Sequence, residues 1–160
     1  LEDIAMPRIE AGLLMSSTKR ENFQVTGGGF VATGATDEEV NTALEWVRYR
    51  IAFYGSTPSY WPVFEHHGQG DLGRKLNKMT KDGLWDQMAK EIPDDLLYLF
   101  AAVGRYDELP DVLEKRFGGC TDMIYASTSA DVRPDIPAEV LQEIKKLILQ
   151  LHNHSLVQRH

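Results

Sequence analysis

Residues 53–68, FYGSTPSYWPVFEHHG, gather five aromatics, two prolines and a His-His pair in sixteen positions. Metal chemistry is the first possibility that His66 and His67 raise. A zinc centre needs about four N, S or O ligands converging in space. Adjacent helical histidines point in different directions, and no His-x-x-x-His accompanies them. Packing or a helix end is therefore the expected role, and no metal is expected. His152, His154 and His160 fall in a polar tail, 152–160, that reads as solvated.

The aromatics of the same stretch, Phe53, Tyr54, Tyr60, Trp61 and Phe64, are interleaved with Gly55, Ser56, Pro58 and Pro62. An aromatic stripe usually marks a core, but this mixture describes a shaped loop-to-helix turn, with Pro58 suited to a first helical position. Two readings stay open: packing, or a lid or pocket wall. Gly27–Gly29 lacks the Gly-x-x-x-x-Gly-Lys spacing of a phosphate loop. It either gives room for close packing or leaves space beside a planar ring. Gly104 and Arg105 follow an apolar run and precede a helix. Backbone N–H groups there can hold an anion, with Arg105 adding a bidentate contact; a solvent-exposed arginine is the plainer alternative. Arg74, Lys75 and Lys78 form a basic face, which is either paired with acids such as Asp71 and Asp82 or available to a phosphate-bearing tail.

These residues need elements to hold them. Residues 1–16 read as a helix end, with Pro7 at or near its first turn. Residues 23–34 read as a strand. Residues 36–54 are the clearest helix: Thr36 and Glu39 form a capping box, and Val40, Ala43, Leu44, Val47 and Ile51 share one face. Residues 71–91 read as short helices separated at Gly83. A helical turn then feeds a strand at 97–103, followed by a helix at 106–117, a Gly118-Gly119 cap, a strand at 121–128 and a helix from 135 burying Val140, Leu141, Ile144, Leu147, Ile148 and Leu151. The alternation is that of βα units on a parallel sheet. Three strands fall short of the eight of a closed βα barrel. The chain is thus a small three-layer sandwich or the last part of a larger barrel.

At this point a resemblance enters. The runs RIAFYGSTPSYWPV, HGQGDLGRKLN and AAVGRYDEL, within a match strongest from Phe23 to Ser127, resemble the C-terminal half of luciferase-like, coenzyme F420-dependent oxidoreductases. The resemblance implies an α/β fold: the C-terminal portion of a TIM (β/α)8 barrel, its strands here being about the sixth to eighth. Residues 1–160 are one partial domain on this reading, with 53–92 as a helical excursion or lid. It implies a deazaflavin, coenzyme F420, or FMN in flavin relatives, at the carboxy-terminal ends of the strands. It also implies hydride transfer to or from a small organic substrate. Gly28, Gly29, Gly104 and Arg105 become the expected cofactor contacts, and Tyr54, Tyr60 and Trp61 the expected substrate pocket. The family's acid and base residues are expected in its N-terminal half, so no catalytic residue is assigned here.

The remaining expectations concern partners. With 17 Lys and Arg against 24 Asp and Glu, the net charge of −7 argues against nucleic-acid or anionic-membrane surfaces. No stretch approaches the roughly 18 apolar residues of a membrane span. The single cysteine, Cys120, excludes an intrachain disulfide and suits a reducing cytoplasm. The amino terminus reads as the interior of a helical segment and carries no signal-peptide pattern, so a fragment or processed product is expected. An open sheet edge favours a homo-oligomer. A non-catalytic half-barrel that oligomerises, or an FMN-dependent monooxygenase of the same fold, are the alternatives.

Overall fold

A computed structural model describes residues 3–127 and 136–146. The described residues divide into two compact units: 3–29, 106–127 and 136–146 in the first, and Phe30–Arg105 in the second. The strands are β1 (Thr26–Gly34), β2 (Ala101–Arg105) and β3 (Met123–Ser127). They form one sheet in the order β2-β1-β3, flanked by helices. This is the α/β arrangement expected of part of a luciferase-like barrel. Consecutive strands are neighbours in a closed barrel, so the observed order differs in one respect. Here β3 pairs with the second edge of β1.

The second unit is a βα unit with an elaborate return. α2 (Asp37–Gly55) starts as its sequence dictates: the Thr36 hydroxyl accepts from the Glu39 N–H at 3.3 Å. The Glu39 carboxylate reaches back to the Ala35 N–H at 2.6 Å, one residue beyond the position a capping box would use. Gly34 makes this turn possible, because a Cβ there would meet the Glu39 Cβ at 2.4 Å. α2 then buries Val40, Ala43, Leu44, Val47 and Ile51 against β1 and β2, the face its periodicity predicts.

The return from α2 to β2 runs through a 3-10 turn at Pro58–Tyr60, α3 (Trp61–His66), α4 (Gly70–Lys81), α5 (Trp85–Met88), a 3-10 turn at Ala89–Glu91 and α6 (Asp94–Phe100). Gly83, at φ +74°, separates α4 from α5 as expected. Small residues let the helices approach. A Cβ on Gly55 would meet the Phe64 ring at 2.4 Å, and one on Gly73 would meet Trp61 at 2.9 Å. Trp61 fills that space and donates its indole N–H to the Gly55 carbonyl at 3.1 Å. Residues 97–100, expected to begin a strand, are helical instead, and β2 starts at Ala101. Leu96 and Leu97 are buried on the inner face of α6 while Tyr98 and Leu99 are exposed, a helical rather than an alternating pattern.

The first unit contains α1 (Ala5–Ser16), α7 (Leu109–Phe117), the first half of β1 and β3. Pro110 lies in the first turn of α7. Met6, Val25 and Cys120 form a small core. A helical segment covers 138–146, where Val140 is buried but Leu141 is exposed, so the expected buried face holds only in part. Leu147, Ile148, Leu151 and the histidine-bearing tail lie outside the described residues.

Candidate functional site

Strand register orients the second unit. β1 and β2 are parallel, from Phe30 paired with Ala101 to Gly34 paired with Arg105. These five pairs span roughly 13 Å. Two sets of expected site residues lie at opposite ends of this ladder.

At the carboxy-terminal end stand Gly34, Gly104 and Arg105, with Asp37 at the start of α2. Arg105 faces Asp37 at 3.7 Å, and both side chains are substantially exposed. A pair of that kind is worth less than about 1 kcal/mol. Thr33, one residue before the end of β1, is buried, and its Oγ1 has no hydrogen-bond partner among the described residues. Thr33 stands opposite Gly104 in register, and Arg105 follows at the end of β2.

At the amino-terminal end lies an apolar cavity of about 310 Å³ lined by Phe30, Ile51, Tyr54, Tyr60, Val63, Phe64 and Phe100. The structure therefore brings Tyr54 and Tyr60 together, their rings 5.1 Å apart and edge-to-face. Arg50 stacks on Trp46, Phe53 and Tyr54, and donates to the Tyr54 hydroxyl at 3.0 Å. Trp61 is absent from the cavity lining and packs on Gly73 instead. The position of this cavity follows from chain order. An excursion that leaves a returning helix and precedes the next strand starts and finishes at the strands' amino-terminal end. The active sites of βα barrels sit at the other end. The stretch 53–68 thus does not enter the expected barrel mouth.

Gly28 and Gly29 belong to the first unit, apart from Gly104 and Arg105. A Cβ on Gly28 would lie 3.0 Å from the Tyr125 backbone oxygen, and one on Gly27 would meet Thr121 at 2.6 Å and Phe117 at 2.9 Å. In this structure Gly27 and Gly28 serve close packing against α7 and β3.

The other candidates have structural partners. The His66 and His67 rings meet edge-to-face at 5.0 Å, and His67 packs on Phe100. Desolvation, and secondarily the neighbouring His66, lowers the His67 imidazole below its ordinary pKa. Among the described residues no group of three His, Cys, Asp or Glu is placed to hold a metal, and no helix is long and apolar enough to cross a membrane. The basic face of α4 is paired: Arg74 with Glu65 and Asp71, Lys75 with Glu91, and Lys78 with Asp82. Sequence reading passed over Thr33. The alternation in Phe30-Val31-Ala32-Thr33 was the available signal, since it places a hydroxyl on an otherwise apolar strand face.

Comparison with known proteins bears on both ends of the ladder. A profile of the family described as luciferase-like monooxygenase matches residues 3–118. Uncharacterized proteins of Mycobacterium bovis and Mycobacterium tuberculosis are 40% identical over 124 residues, covering 78% of this chain and 36% of theirs. The 5,10-methylenetetrahydromethanopterin reductase of Archaeoglobus fulgidus is 28% identical over 120 residues, covering 71% of this chain and 33% of the reductase. The chain thus spans about a third of the length of these relatives. No solved structure matches it at a significant level.

Proposed function

Because the chain belongs to the luciferase-like monooxygenase family, we propose that it supplies the carboxy-terminal part of a (β/α)8 oxidoreductase that moves a hydride between coenzyme F420 and a small organic substrate. The reading is supported by the family match, by the reductase among its relatives and by the long motifs around Tyr54 and Gly104. The observation that carries it is local: Gly104 and Arg105 close a parallel βα ladder at its carboxy-terminal end.

The bound deazaflavin supplies the two-electron carrier, and the protein supplies position and charge. Arg105 and the backbone at Gly104 hold the anionic portion of the coenzyme. Closing the barrel over this end excludes water, which strengthens each polar contact made there. The groups that move protons belong to the strands preceding β1 in the family's barrel.

The test is a fluorescence titration of coenzyme F420 into the longest polypeptide that the reading frame encodes, with FMN in a parallel arm. Saturable binding of F420 at micromolar concentration is the expected result. Binding of FMN alone would transfer the chemistry to a flavin, and binding of neither would remove the oxidoreductase reading.

A further inference from the structure

We propose that the aromatic patch beside the apolar cavity is a self-association surface, on which a second copy of this chain seats its Trp85 ring in the cavity and sets its Asp86 carboxylate against Arg50.

The patch is continuous and lies within the second unit. The Phe53 ring stands 6.3 Å from Trp85 on one side and 5.7 Å from Tyr54 on the other, and Tyr54 lines the cavity. At about 310 Å³ the cavity is roomier than one indole side chain. Tyr60 and Val63 in its wall each remain 43% exposed, and Trp85 remains 41% exposed. Tyrosine, tryptophan, phenylalanine and arginine gathered in this way are the composition of an interface centre, where large rings fill pockets and exclude water.

The occupant follows from what the patch carries. A twofold axis lays one surface on itself, so every contact is made twice and both of its halves must be present on that surface. Here the hollow between Tyr54 and Tyr60 is one half, and the exposed Trp85 ring is the other. A charge pair accompanies them. Arg50 stacks on Trp46, Phe53 and Tyr54 and donates to the Tyr54 hydroxyl, while its Nε has no partner. Asp86 follows Trp85 in α5. Neither Arg50 nor Asp86 has an oppositely charged partner among the described residues, whereas Arg48, Arg74 and Lys75 of the same unit are all paired. A Trp85 ring entering the cavity from another copy brings its adjoining carboxylate to the guanidinium that borders Tyr54. Two copies then satisfy both groups, which a single copy leaves unpaired.

The experiment is sedimentation equilibrium of the longest encoded polypeptide at micromolar concentration, with melting temperatures measured in dilute solution. A dimer is expected. Trp85→Ala should raise its dissociation constant about thirtyfold and Asp86→Arg about tenfold, with the dilute melting temperature unchanged. Adding Arg50→Glu to Asp86→Arg reverses both charges and should restore the dimer to within about threefold of the original. Trp85 and Asp86 are exposed, so their two variants decide the matter even where Arg50→Glu fails to fold. A monomeric original protein would overturn the proposal, as would a dimer that Trp85→Ala and Asp86→Arg both leave intact. A Trp85→Ala variant that melts several degrees lower in dilute solution would show that the ring packs within its own polypeptide, and overturns the proposal as well.

Discussion

Replacing Gly55 with valine is expected to cost about 3 kcal/mol, which is a large part of the stability of an ordinary domain. Gly55 is the last residue of α2 and is buried. The first added carbon would lie 2.4 Å from one Phe64 ring atom, 2.8 Å from another and 3.1 Å from a Leu76 methyl. Phe64 and Leu76 are themselves buried at 3% and 0% exposure, so neither can swing into solvent. The helices must separate, and the Trp61 indole must give up the Gly55 carbonyl. A fall in melting temperature of about 10 °C is the expected reading at this chain length. Adding Phe64→Leu to the valine variant should recover part of the loss, because it vacates the contested space. A valine variant that melts within a degree of the original would show that α2, α3 and α4 are not packed as described.

Replacing Asp122 with alanine should cost roughly 2–4 kcal/mol. Its carboxylate accepts from the Arg20 guanidinium at 2.7 Å and from the Val25 N–H at 2.7 Å, and its side chain is only 7% exposed. Alanine would leave a buried backbone donor and a partly buried guanidinium without that acceptor. Arg20 also donates to the Phe23 carbonyl, so the loss would spread to the chain entering β1. Denaturant midpoints should show Arg20→Ala to be milder than Asp122→Ala, because the Val25 bond survives it. Equal losses from the two substitutions would mean that the ion pair, and not the backbone bond, carries the effect.

What could be read beforehand was mostly local. The Thr36 cap, the buried face of α2 and the break at Gly83 each depend on residues within a few positions of one another. Residues 97–100 were misplaced because a short apolar run lacks a decisive period, so length and flanking residues must arbitrate. Asp122 could not have been linked to Val25, since their contact spans 97 positions. The stretch 53–68 illustrates a different limit of local reading. Its composition says that a bent aromatic surface forms, but only topology says at which end of the sheet. The order of helix, excursion and strand already contained that answer. At the carboxy-terminal end, Gly104 and Arg105 were read as following a strand that ends at 103, whereas they are the last two residues of β2 and pair with Thr33 and Gly34.

The account's central claim is that ligand chemistry belongs to the Gly104-Arg105 end of the ladder and not to the Tyr54-Tyr60 cavity. Coenzyme F420 titrations of Arg105→Ala and Tyr60→Ala, made in the longest encoded polypeptide, separate the two ends. The account predicts about a tenfold loss of affinity for Arg105→Ala, as expected when a charged hydrogen bond is removed, and less than a twofold change for Tyr60→Ala. The reverse pattern, with Tyr60→Ala impaired and Arg105→Ala unaffected, would contradict it.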